Sequence, residues 1–230
     1  MSLARSYNWN FYKTAVGVSL IFLSLILIFL FSYGKNESFF FINAYHNYSL
    51  DIFFQYVTFL GDGLIYIPMV LYAVFFNRKF LIPVILAILF CTFFSQFSKR
   101  VLFPGELRPI SLETGEIVIR KIEGLQLHRM HSFPSGHTST AFTIALLLSS
   151  IMKKRFWAFV LPFLALLVAY SRVYLSLHFV TDVAAGLIIG IISSFLALYL
   201  YERWLSKKER KQHAALVHDK VPTDNFSSNL

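Results

Sequence analysis

His131-Ser132-Phe133-Pro134-Ser135-Gly136-His137-Thr138-Ser139-Thr140 is a polar turn that runs directly into the apolar stretch from Ala141 to Met152. A proline at a helix's first position, a hydroxyl beside it and a glycine that lets an anion approach the backbone mark a helix N-terminus suited to an oxyanion. Ser135 and Gly136 are therefore candidate phosphate contacts, and His137 faces the bound group. The apolar stretch behind the turn is one of several, and they decide the fold.

Of the 230 residues 57% are hydrophobic, and they fall in long runs instead of amphipathic stripes. Such runs predict an all-α polytopic membrane bundle. Six transmembrane helices are expected, at about Ala15 to Phe31, Leu64 to Phe76, Phe80 to Phe97, Gly136 to Met152, Phe156 to Leu175 and His178 to Tyr201. The first is long for a signal-peptide core, and no small-x-small site follows at Ser32 to Lys35. Between the first two, residues 36–60 mix aromatic and polar groups and read as a partly helical interfacial segment, ended by Gly61-Asp62-Gly63. Residues 1–201 then form one transmembrane domain with a long loop at 98–134, and residues 202–230 a charged tail that ends in disorder. Within the loop, Glu116 to Gly124 has β-like character and suggests a small hairpin.

The net charge of +9 does not indicate nucleic acid, because the basic residues punctuate the apolar runs instead of gathering on one face. They report topology. The N-terminus, Arg78-Lys79, Lys153-Lys154-Arg155 and the Arg203 to Lys211 tail fall on one side, which the positive-inside rule makes cytoplasmic. Trp9, Trp157 and Trp204 adjoin those segments, as an aromatic belt would. Cys91 lies in an apolar run, and as the lone cysteine it has no disulfide partner within the chain.

The opposite face carries Lys99, Arg100, Arg108 and the segment Ser171-Arg172-Val173-Tyr174-Leu175-Ser176-Leu177-His178-Phe179-Val180-Thr181-Asp182. A charge at bilayer depth costs about 2.5–3.5 kcal/mol on insertion scales, so Arg172, His178 and Asp182 are functional candidates. On a helix starting near His178, Asp182 lies one turn on and can accept a hydrogen bond from one imidazole nitrogen. The other nitrogen keeps its lone pair, as a nucleophile or base needs.

With these residues in place the chain resembles the type-2 phosphatidic acid phosphatase superfamily, whose motifs are Lys-x6-Arg-Pro, Pro-Ser-Gly-His and Ser-Arg-x5-His-x3-Asp. The second stands here as Pro134-Ser135-Gly136-His137 and the third as Ser171-Arg172, His178 and Asp182. The first departs: Arg108-Pro109 is present, but eight residues intervene between Lys99 and Arg108 and seven between Arg100 and Arg108, where the motif has six. Extra residues looped out around Phe103-Pro104-Gly105 favour Lys99 over Arg100.

The resemblance implies an integral-membrane lipid phosphatase that needs no metal or other cofactor, with a lipid phosphate as its partner. Lys99, Arg108, Arg172, Ser135 and Gly136 would hold the phosphate, His178 would attack phosphorus, Asp182 would orient His178, and His137 would protonate the leaving group. It further implies a bacterial inner-membrane enzyme with both termini cytoplasmic and a periplasmic site. Undecaprenyl pyrophosphate and lipid A or glycerophospholipid phosphates both fit as substrates. A lipid-phosphate-binding protein or transporter with the same cationic cradle is the alternative, disfavoured because binding alone has no use for the His178–Asp182 pair. A vanadate-dependent haloperoxidase is disfavoured by the membrane helices.

Other polar residues have blander roles. His128 and His131 beside His137 lack the carboxylate or cysteine that completes a zinc set. His46, Asp51 and Asp62 either touch a headgroup or cap helices. Gly186 and Gly190 fit close packing within the chain. Arg120, Lys121 and Arg129 either steer anionic substrates or balance Glu113, Glu116 and Glu123.

Overall fold

The computed structural model describes residues 7–218, with side chains through Gln212. Among the described residues the fold is all helical, with α1 (Trp9–Ala44), α2 (Tyr48–Thr58), α3 (Tyr66–Phe76), α4 (Arg78–Phe97), α5 (Gly136–Ile151), α6 (Trp157–Tyr174) and α7 (Val180–His218). Four helices, α1, α4, α6 and α7, are long and apolar enough to cross a membrane, and the α2–α3 pair, bent by 57°, qualifies as a fifth span. Large apolar side chains such as Leu25, Ile28, Phe31, Phe93 and Phe163 remain exposed on the outer faces, where a bilayer would cover them.

Caps and breaks are local. Asn8 starts α1 by accepting from the amides of Asn10 and Phe11, both at 3.1 Å. Gly34, at φ +77°, interrupts α1 in a conformation that suits glycine. The segment expected to be interfacial is therefore helical almost throughout, as the second arm of α1 and then α2. Asn47 caps α2 through the Leu50 amide at 2.9 Å.

α5 lies at the centre, packed on α6 and α7 and buried along most of its length. Its tight fit to α7 depends on two glycines. A Cβ on Gly186 would meet the Ser135 carbonyl at 2.6 Å, and one on Gly190 would meet Phe142 Cβ at 2.5 Å. The small-residue spacing thus serves packing within the chain.

Two sequence expectations change. The Glu116 to Gly124 hairpin is absent: no strand occurs among the described residues. Arg120 instead pairs with Asp51 of α2, Lys121 pairs with Glu113 at 2.9 Å, and Ile119 is buried. The Arg120–Asp51 pair and the buried Ile119 tie the segment to the bundle, and its backbone forms no ladder. Secondly, α7 continues past Tyr201 to His218, because the Glu, Arg, Lys, Gln and Ala that follow favour helix. The disorder expected at the chain's end falls in residues 219–230, outside the described residues.

The two ends of the bundle differ in character. At one, the Asn8 amide donates to the Ser150 carbonyl at 2.7 Å, the Tyr7 hydroxyl to the Lys79 carbonyl at 2.9 Å, and the Trp9 indole to Glu202. The other gathers the polar residues of the three motifs.

Candidate active site

The His178–Asp182 pair is at the heart of that second end. His178 Nδ1 lies 3.2 Å from Asp182 Oδ2, with both side chains at most 2% exposed. The same oxygen accepts from the Ser132 hydroxyl at 2.5 Å and the Phe179 amide at 3.0 Å. An acceptor so engaged requires the proton on Nδ1, which leaves Nε2 with its lone pair. Burial, ahead of any charge, holds the His178 imidazole below its ordinary 6.5; Asp182 opposes this, while Arg172 and Arg108 reinforce it. The ring is accordingly neutral near pH 7.

Arg172 supports the pair from below. Its carbonyl accepts from the amides of Leu177 at 3.0 Å and His178 at 3.1 Å, which closes the turn between α6 and α7. The side chain is 6% exposed, and its Nη1 donates to Thr58 Oγ1 at 2.7 Å. Its Nε is buried and has no hydrogen-bond partner among the described residues. A buried guanidinium N–H without an acceptor is costly, and it marks where an anion would be welcomed.

The opening turn docks on this pair through its backbone. The Ser135 amide donates to the Asp182 carbonyl at 3.0 Å, so the start of α5 and the start of α7 are tied together. Ser135 is fully buried as the cap of α5, accepting from the Thr138 amide at 3.4 Å and the Thr138 hydroxyl at 2.9 Å. Its own hydroxyl proton is left to donate. A Cβ on Gly136 would meet nothing within 4 Å, so the backbone there is open to a ligand. His137, half-buried in the first turn of α5, faces Asp62 with Nε2 3.7 Å from Oδ2.

Two more cations complete the site. Arg108 is held by its Nε donating to the Met130 carbonyl and its Nη1 to the Leu177 carbonyl, both at 3.1 Å. Lys99 lies within electrostatic reach of Arg108, Arg172 and Asp182. It sits in the π-helical turn Ser98–Leu102 that ends α4. A π turn carries one residue more than an α turn, and with the turn at Gly105 (φ +82°) it takes up the extra length between Lys99 and Arg108. Arg100 is exposed.

All eight candidate residues thus come to one end of the bundle. His128, His131 and Arg129 are exposed on the loop, and among the described residues no group of three or more His, Cys, Asp or Glu is disposed to hold a metal. Asp51 pairs with Arg120 and accepts from the Tyr174 hydroxyl at 2.7 Å. Sequence reasoning missed Ser132 and Thr58, which contact Asp182 and Arg172 across 50 and 114 residues of chain. Ser132 lay inside the quoted turn, but nothing in its spacing to Asp182 signals the contact.

A sequence profile described as the PAP2 superfamily matches residues 80–206. A lipid A 4'-phosphatase of Bacteroides thetaiotaomicron is 30% identical over 70% of this chain and 73% of its own length. An undecaprenyl-diphosphatase of Sulfolobus acidocaldarius is 29% identical over 61% of this chain and 65% of its own. Among the curated relatives, the matched segment spans as little as 34% of the relative's length. The crystal structure of Aquifex aeolicus LpxE is similar with a TM-score of 0.61 and 33% identity, over 72% of this chain and 94% of that one.

Proposed function

The chain belongs to the PAP2 superfamily, and from that premise we propose that it hydrolyses a lipid phosphate monoester or pyrophosphate through a phosphohistidine, without a metal ion. The observation that carries this is the buried His178–Asp182 pair beside Arg172, whose Nε is unpartnered. His178 Nε2 attacks phosphorus in line. Lys99, Arg108 and Arg172 supply the positive charge that a metal would otherwise bring, with the Gly136 amide and the Ser135 hydroxyl proton completing the cradle. Asp182 stabilises the charge that develops on His178. His137 protonates the leaving oxygen and then draws a proton from the water that cleaves the N–P bond.

The proposed setting is a bilayer crossed six times, by α1, the bent α2–α3 pair, α4, α5, α6 and α7. The 16 residues of α5 extend about 24 Å, short for a span but shielded from lipid by its neighbours. Basic residues at the end that holds Tyr7 to Trp9 and Glu202 support cytoplasmic termini and a site that opens outward, in a bacterial inner membrane. Residues 1–201 then form the phosphatase domain, with 98–134 on the outer face and 202–230 on the cytoplasmic side. Lipid A or glycerophospholipid phosphates and undecaprenyl pyrophosphate are the two substrate classes, and named relatives support the lipid A and undecaprenyl readings.

The test is phosphate release by purified protein in detergent with EDTA, from lipid A, undecaprenyl pyrophosphate and phosphatidic acid. Release from at least one is expected, and His178→Ala should abolish it while the thermal transition stays in place. Undiminished release by that variant, or dependence on an added divalent ion, would overturn the mechanism.

A further inference from the structure

The break between α2 and α3, Gly61-Asp62-Gly63, does more than end a helix. Asp62 Oδ1 accepts from the Leu64 amide at 2.8 Å, while Oδ2 lies 3.7 Å from His137 Nε2. The approach is fixed in the backbone: a Cβ on Gly61 would lie 2.7 Å from the His137 carbonyl oxygen and 2.6 Å from Val168 Cγ1. Residue 61 is therefore pressed onto the first turn of α5 and the flank of α6. No side chain larger than hydrogen fits there, and the residue that follows is delivered to the histidine.

Four charged groups lie within electrostatic reach of the His137 ring: Asp62 from the break, at 3.7 Å, Arg172 from α6, Lys99 from the π turn and Arg108 from the loop. Burial of the ring, and after it the three cations, disfavour a proton there, and the carboxylate favours one. A histidine in such a cluster is a poor proton store unless something offsets the cations. A bound phosphate dianion offsets part of their charge, and Asp62 is placed to supply the rest.

We propose that Asp62 is a positioning residue that keeps His137 protonated while the lipid leaves. The proposal rests on the phosphatase reading and deepens it. In the step, the His178 Nε2 lone pair forms the N–P bond, and the P–O bond to the lipid breaks with its electron pair on oxygen. The proton of the His137 imidazolium moves to that oxygen, so His137 ends neutral and Asp62 remains a carboxylate. The need for Asp62 scales with the basicity of the leaving oxygen. An alkoxide requires the proton, whereas p-nitrophenolate departs without it.

The experiment compares kcat/KM for dodecyl phosphate and p-nitrophenyl phosphate, across pH, in the wild type, Asp62→Asn and Asp62→Glu. This ratio reports steps up to formation of the phosphohistidine, so its later hydrolysis does not mask the effect. Asp62→Asn is expected to lower kcat/KM for the alkyl ester by about 10²-fold, the lower end of what general acid catalysis supplies. It should also move the basic limb of that profile to lower pH, leave the aryl ester within about 2-fold, and be largely rescued by Asp62→Glu. Equal losses on both esters, or no loss on either, would overturn the proposal. A wild type that hydrolyses neither ester nor any lipid phosphate would overturn the phosphatase reading itself.

Discussion

Asp182 Oδ2 receives three donors, from Ser132, His178 and Phe179, so the carboxylate is fixed in place and the imidazole with it. Asp182→Asn keeps the shape but removes the negative charge that fixes the His178 tautomer and stabilises its developing positive charge, and kcat/KM is expected to fall by about 10⁴-fold, as for the orienting carboxylate of a serine protease triad. Lipid phosphatase assays on the folded variant check this. The depressed His178 basicity has a stability counterpart. Between the lowered folded value and the ordinary 6.5, the unfolded chain binds a proton that the folded one resists, so stability is greatest above pH 6.5 and declines below it. Thermal unfolding in detergent at pH 7.5 and pH 5 should show the lower transition at pH 5, and His178→Gln should reduce the difference. The pair itself was legible because one helical turn separates its members. Ser132 and Thr58 were not, since they reach Asp182 and Arg172 across 50 and 114 residues of chain.

Elements whose apolar runs are long were legible by hydropathy, and α4, α6 and α7 start close to where the runs do. The α2–α3 break and the loop were harder, because tertiary contacts decide them. In the loop, Ile117-Val118-Ile119 has a strand-like pattern, yet the Arg120–Asp51 pair and the buried Ile119 hold the segment against the bundle instead. The contact between α5 and α7 is the most demanding in the bundle. Gly190→Leu sets a side chain where Phe142 and the α5 backbone already stand, and overpacking of this kind costs about 1–3 kcal/mol. A lowered thermal transition is expected, with activity falling in step as the two helix starts separate.

For the whole molecule the governing fact is polarity: basic turns and both described chain ends at one pole, the eight candidate site residues at the other. A reporter fused after Leu230 should report the cytoplasm. In a Cys91→Ala background, Val118→Cys, at a position 81% exposed on the loop, should be labelled by a membrane-impermeant maleimide from outside the cell; labelling only after lysis would invert the topology. The composition made this polarity readable, since the basic residues are spaced by whole spans. The glycine contacts that join α5 to α7 extend the same logic. Where Gly186 meets the Ser135 carbonyl, not even a methyl group fits, so the starts of α5 and α7, which carry His137 and adjoin His178, are clasped together. Descendants of such a chain can vary residues 113–128 of the loop, which exclude Arg108 and its backbone anchors at 129 and 130, while the clasp is inherited intact.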